Sequence, residues 1–374
     1  MDFNYTSEQQ ILKDLCRKFL EAECGSQCIR DLEKSDSGFS PVLWKKMAEL
    51  GWPGINIPEQ YGGVGLGLVE VAILLEEMGR SAFDSPLFPV VIASTLLDAA
   101  GNHSQKMELL SAIAAGDMIL SPAIEEPEVS NEPKYISTKA VARGNDYVID
   151  GIKQFVPYAD IAGYLLILAR SGGAAGSEGG CTLFLVNAGT PGISLTAIET
   201  IAPDKQYRLE LNEVIVPASC IVGTIHQGLK IVSSVFQKAS VLACADMLGG
   251  AEYQLQKTAD YVKQREQFSR PIGSFQAVQH QMSDMYTMIQ GARWTTYQAL
   301  SLLARDEPCS KEVAIAKAFT SDACQKASAV THQLHGGVGV DMASDLHFYF
   351  RRAKALELKF GSARVQLQRL GDLL

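Results

Sequence analysis

Three things are scarce in this 374-residue sequence, and each closes off a class of function. Basic residues are outnumbered: 33 Lys and Arg face 42 Asp and Glu, for a formal net charge of −9. A face that binds nucleic acid needs the opposite balance, so nucleic acid is not an expected partner, although a local basic site for a phosphorylated ligand stays open. Paired cysteines are missing. The eight cysteines form no CxxC, and the one close pair, Cys24 and Cys28, has no histidine near it in sequence. They read as reduced, mostly buried thiols, with neither metal nor disulfide. Long apolar runs are lacking too. None approaches the ~20 residues that a membrane span needs. The opening "MDFNYTSEQQILKDLCRKFL" has no basic segment leading into an apolar one, so no secretory signal is expected. The expected location is cytoplasmic.

What is present suits a globular protein: 47% of residues are hydrophobic and 20% charged. At ~150 residues per domain the length allows two or three packed units. Residues 1–118 read as helical. Thr6 and Gln9 are spaced as a capping box ahead of Ile11, Leu12, Leu15, Phe19 and Leu20. "PEQYGGVGLG" then breaks the pattern as a loop before the helical "LVEVAILLEEMGR". Residues 119–225 change to β texture. "STKAVARGNDYVIDGIKQFV" alternates about an Arg-Gly-Asn-Asp turn and predicts a hairpin, while "YLLILAR" and "CTLFLVN" read as short apolar strands. Residues 226–374 return to long runs with apolar spacings of three and four, the pattern of an antiparallel bundle. The expected fold is therefore multi-domain α and β: an N-terminal helical domain, a small middle β barrel or sandwich, and a C-terminal four-helix bundle.

Three phrases carry more specific information. "QREQFSRPIGSFQAVQH" (264–280) joins two long helices through a Pro-Ile-Gly turn, with Arg265 at the end of the first. "QLHGGVGV" (333–340) is a glycine-rich break between helices. "AIEEPEVSNEPKYISTKAVARGNDYVIDGIKQFV" sets a strand pair after a Glu-Glu-Pro. In this order, on an α–β–α chain of this length and with "PEQYGGVGL" and "LNEVIVP" added, they resemble the acyl-CoA dehydrogenase family from about Phe3 to Leu370.

The resemblance implies an FAD-dependent removal of an α proton and a β hydride from an acyl-CoA thioester. In that family a glutamate is the base, and the flavin lies across a subunit interface. It also implies roles for particular residues. Arg265 matches the arginine that pairs with a neighbouring subunit's pyrophosphate, where a charge-assisted bond is strongest. Phe268 matches the aromatic beside it, and Gln333 with Gly336-Gly337 matches the stretch approached by the adenylate. Taken alone, Arg265 reads equally as an exposed helix-end charge and Gly336-Gly337 as a plain helix end.

The flavin-ring side departs from the family pattern. Glu125-Glu126-Pro127 stands for Thr-Glu-Pro, and Ser130-Asn131-Glu132 for Gly-Ser-Asp. Pro157, without hydroxyl or amide hydrogen, stands where a threonine approaches flavin N5. Phe360 falls on the catalytic glutamate and Ser362 on the threonine that follows it. A second base position known in the family, on an earlier helix, is here Ala239-Ser240. Phenylalanine cannot accept a proton.

Substitute acids exist. Asp246, in the apolar "VLACADMLGG", could be a desolvated base or simply a bonded residue of the bundle. Glu125 is another candidate. Glu357 reads as facing outward or into an interface. His335 is a proton carrier by type, or a histidine packed on backbone. Three readings follow. In the first, the chain is the base-lacking partner in an α2β2 acyl-CoA dehydrogenase and holds the adenosine and pyrophosphate of FAD seated on a homologous catalytic subunit. In the second it is a homomeric dehydrogenase with Asp246 or Glu125 as base. In the third it is a flavin-free scaffold. An acyl-CoA substrate and an electron-transfer flavoprotein as acceptor come with the resemblance. No metal is expected.

Overall fold

The computed structural model describes residues 5–127, 135–174, 176–177 and 179–373. Seven helices come first: α1 (Ser7–Glu23), α2 (Ser26–Lys34), α3 (Pro41–Glu49), α4 (Leu68–Arg80), α5 (Leu87–Ala100), α6 (His103–Gln105) and α7 (Ser111–Ala114). Thr6 and Gln9 cap α1 reciprocally, each side chain bonded to the other's backbone N–H, as their spacing predicted. The loop around Tyr61 contains one 3-10 turn, Glu59–Tyr61.

α4 lies deepest, with Val71 to Gly79 buried. It crosses the long helix α8 (Gly228–Gln264) at two reciprocal glycines. A Cβ on Gly79 would come within 1.9 Å of the Asp246 carbonyl, and one on Gly249 within 1.7 Å of the Glu76 carbonyl. Only glycine lets the two backbones approach so closely.

The middle domain is one sheet built from β1 (Leu120–Ala123), β2 (Lys139–Arg143), β3 (Asp146–Pro157), β4 (Tyr164–Arg170), β5 (Cys181–Asn187), β6 (Ile193–Ile198), β7 (Gln206–Pro217) and β8 (Ile221–Val222). The strand order is β6-β7-β3-β2-β4-β5-β8, with β1 parallel to β4. β2 and β3 form the expected hairpin. Arg143 pairs with Asp146 across a two-residue loop, and Gly144 supplies the positive φ that such a turn needs.

The chain then enters α8, a short hairpin of β9 (Glu266–Gln267) and β10 (Arg270–Pro271), α9 (Gln276–Leu303), α10 (Ser310–His335), α11 (Gly337–Val340), α12 (Leu346–Leu358) and α13 (Ala363–Asp372). The order is α, β, then helical bundle. Among the described residues α8 alone is long and apolar enough to cross a membrane; 67% of its most apolar window is buried against its neighbours, as a bundle's central helix should be. All eight cysteines are free thiols. Six are buried, and burial pushes the Cys16 thiol up to about 12, which leaves it unreactive.

Candidate functional site

Phe360 sits in the four-residue turn between α12 and α13, with φ of +61°, followed by Gly361 at +96°. A phenylalanine in that region is strained and needs its surroundings to hold it. They do. Gln366 Nε2 and Arg369 Nη1 donate to the Phe360 carbonyl at 2.7 and 3.3 Å. The buried Lys317 donates to the carbonyls of Leu356 and Glu357, both at 2.9 Å, and so caps α12 just before the turn. Burial lowers this lysine to about 8. The Phe360 ring meets Phe236 of α8 edge-on, centroids 5.3 Å apart, and Phe88 of α5 at 6.1 Å. Phe360 is thus part of an aromatic cluster.

Beside this cluster lies a network of charges that the sequence did not announce. Arg352 donates from Nε and Nη2 to both oxygens of Asp246, at 2.8 and 2.5 Å. Its Nη1 is paired with Asp84. Lys359, immediately before Phe360, reaches Asp204 at 2.7 Å. Of the two readings left open for Asp246, the geometry is that of a bonded residue of the bundle: it is a 1%-exposed counter-ion held at both oxygens. Glu357 is corrected: it is buried, accepting from the Ala363 amide at 3.2 Å and from Lys354 at 2.9 Å, rather than facing outward. Ala239 and Ser240 are buried in α8.

The substituted phrases of the β domain take different roles. Glu126 accepts from the Ser137 hydroxyl and amide, the Thr138 amide and the buried Lys153. Burial opposes ionisation, but Lys153 and these donors win and hold the carboxyl at about 2. It is a structural staple. Glu125 reaches solvent although protein surrounds it on most sides; burial pushes its carboxyl upward and Lys359 pulls it back. The Pro157 carbonyl accepts from the Ser121 hydroxyl at 2.5 Å. Ser130, Asn131 and Glu132 lie outside the described residues.

At the far end of the bundle the second set of motifs converges. Tyr261 of α8 stacks on His335 of α10, centroids 4.2 Å apart and planes 23° from parallel. That contact brings Arg265, one turn beyond Tyr261, to the same end as Gln333, Gly336 and Gly337. His335 is bound through Nδ1 to the Thr331 carbonyl at 2.9 Å; burial lowers its pKa, and it packs rather than carrying protons. Gly336 has φ +61° and ψ −136°, a conformation open to glycine. A Cβ on either Gly336 or Gly337 would meet nothing within 4 Å. Arg265 is exposed, and Phe268 is 88% exposed at the tip of the β9–β10 hairpin, where it and Ser269 both have positive φ. Open glycine backbone, a cation and a projecting ring make this end fit the pyrophosphate and adenosine of a dinucleotide. On the Phe360 side, neither Phe360 nor Ala239-Ser240 carries a carboxylate.

Comparison with known proteins agrees with this layout. Residues 6–117, 121–214 and 226–374 match the N-terminal, middle and C-terminal domains of acyl-CoA dehydrogenases. The chain belongs to the acyl-CoA dehydrogenase family, whose activity is FAD-dependent dehydrogenation of acyl-CoA. Acyl-CoA dehydrogenase FadE27 of Mycobacterium tuberculosis is 33% identical, across 99% of this chain and 98% of that protein. Among solved structures, the ChsE4–ChsE5 complex from Mycobacterium tuberculosis contains a chain 32% identical, with a TM-score of 0.91 over 100% of this chain and 98% of that one. The Tcur3481–Tcur3483 steroid acyl-CoA dehydrogenase, as its G363A variant, gives 34% identity and a TM-score of 0.89 over 98% and 97%.

Proposed function

We propose that this chain is the base-lacking subunit of a heteromeric acyl-CoA dehydrogenase. In this reading it holds the adenosine and pyrophosphate of FAD whose ring is seated on a homologous catalytic subunit. One observation carries the reading. The phenyl ring of Phe360 is packed between α5 and α8 at the base position, while the Arg265–Phe268 hairpin and the Gly336–Gly337 break remain open. Loss confined to one half-site is what a division of labour between two chains leaves behind.

Bound FAD supplies the hydride acceptor of the family's reaction. This chain's part is binding. Arg265 offers a delocalised cation to the diphosphate, Gly336 and Gly337 admit it close to backbone, and Gln333 and Phe268 border the adenosine. The partner supplies the proton-accepting carboxylate. The structural relatives include a complex of two differently named chains and a steroid acyl-CoA dehydrogenase, which supports a heteromer acting on a bulky or cyclic acyl-CoA. An electron-transfer flavoprotein is the matching electron acceptor.

Co-expression with a homologous catalytic subunit tests this. The expected product is a yellow complex of both chains with one FAD per two polypeptides, and with acyl-CoA dehydrogenase activity absent from this chain alone. One FAD per polypeptide, or turnover by the chain alone, would refute it. A colourless preparation with every partner would point to a scaffold. A homomeric enzyme remains the second reading because Glu125 is accessible and its carboxyl is raised toward the range of a general base.

A further inference from the structure

The charge network next to Phe360 joins all three domains. Asp84 comes from the α4–α5 loop, Asp204 from the loop before β7, Asp246 from α8, Arg352 from α12 and Lys359 from the turn after it. We propose that this junction is a proton-loaded staple, in which the one excess negative charge is met by a proton held on Asp84, so that the three domains dock more tightly in mild acid than in mild base. The inference is independent of where flavin is held.

The count of groups sets the problem. Three carboxylates face two cations, leaving one negative charge over at a junction only partly closed to solvent, where the Asp84 and Lys359 side chains are 22% and 33% exposed; Glu125, which also feels Lys359, adds to the excess. Assigning bonds shows which carboxylate is short. Both Asp246 oxygens are taken by Arg352. Asp204 Oδ2 accepts from Lys359 at 2.7 Å and from Gln206 at 2.6 Å. Asp84 has one oxygen paired with Arg352, and its Oδ2 is covered and has no donor at all. A covered oxygen without a donor is a costly place for a full negative charge, and a proton there removes the charge.

The groups facing Asp84 reinforce this. Arg352 favours its ionised form, and Lys359 does so more weakly. Burial, Asp204 and Asp246 oppose it and prevail, so the Asp84 carboxyl lies above the ordinary aspartate value. The buried Tyr158, at the end of β3, completes the surround as a neutral phenol that burial pushes upward. Asp204 moves the opposite way. Burial would raise it, but Lys359 and Gln206 hold it below its ordinary value. The sign for Asp84 is fixed by this: its bound proton contributes stability that is fully present below the unfolded aspartate value and is lost as pH rises through the raised folded value.

The test is urea unfolding of the full chain between pH 5 and 8, for wild type and Asp84→Asn. The amide keeps the shape and one hydrogen-bond donor but cannot ionise. The expected result is a wild-type folding equilibrium that weakens about tenfold more than that of the variant as pH rises. Parallel curves would overturn the proposal. Should the variant not fold, isotope-edited infrared of wild type labelled at aspartate carboxyls decides. At pH 5.5 ordinary aspartates, near 3.9, are ionised. A carboxylic-acid band that disappears as pH is raised with the protein still folded supports the staple, and a spectrum with carboxylate bands alone overturns it.

Discussion

The ring of Phe360 rests edge-on against Phe236 at 5.3 Å, and the backbone that carries it is left-handed. Phenylalanine cannot accept a proton. Here an apolar contact joins α8 to the α12–α13 turn. Its removal should therefore be felt in folding rather than in chemistry. Phe360→Ala is expected to lower stability by about 2 kcal/mol, less than a fully buried phenylalanine because the ring is partly accessible. Phe360→Gly should come out nearer to wild type than that cavity alone implies, since glycine relieves the positive φ. In the complex with a catalytic subunit, kcat should change by less than about threefold in Phe360→Ala. Urea unfolding and steady-state assays of the same preparations check both halves. A loss of a hundredfold or more in kcat with the fold intact would show that the turn takes part in the reaction.

Arg265 makes a contrasting case. It is exposed, and no carboxylate lies on it among the described residues, so Arg265→Gln should leave stability within about 0.5 kcal/mol. A charged hydrogen bond to diphosphate is worth about 1.5–3 kcal/mol. The variant complex is expected to retain its subunits but release FAD at least tenfold more readily, read from flavin fluorescence on dilution. Equal retention would remove Arg265 from the site.

Asp246 and Arg352 show what sequence could and could not reveal. The α–β–α order, the Thr6–Gln9 cap and the β2–β3 hairpin were legible because each is written within a few residues, as apolar spacing or turn chemistry. The motifs matched by resemblance to the adenosine site were legible as phrases, and contacts between α8 and α10, the Tyr261–His335 stack among them, set them at one end of the bundle. Asp246 stayed open between base and bonded residue because its partner lies 106 positions away on α12, and the sequence alone does not place that arginine. Glu126 looked like half of a degraded phrase for the same reason, with Lys153 27 positions off. No local signal marked Asp84 or Asp204. Asp246→Asn should be severe, since it leaves Arg352 buried with half its pairing: a loss of about 3–5 kcal/mol is expected in thermal or urea unfolding. A loss under 1 kcal/mol would show that the pair is weaker than its burial implies.

Lys317 gives the last prediction, and its sign can be worked out. Its ammonium is wholly buried and donates to Leu356, Glu357 and Ser321. Burial is the main cause of its fall from 10.5 to about 8. The unfolded chain thus binds the proton more tightly than the folded one between about 8 and 10.5. Stability contributed by this group rises with pH across that window and is flat below it. Lys153, also lowered by burial to about 8, adds a second step of the same sign. Lys317→Met removes one step and leaves two helix-end carbonyls without a donor. It should destabilise the chain at pH 7 by about 1–3 kcal/mol and shrink the gain in stability between pH 8 and 10. Denaturant midpoints measured across that range for both proteins decide the matter: a pH slope identical in wild type and Lys317→Met would mean the lysine is hydrated in the folded chain, and the anchor under the Phe360 turn would have to be sought elsewhere.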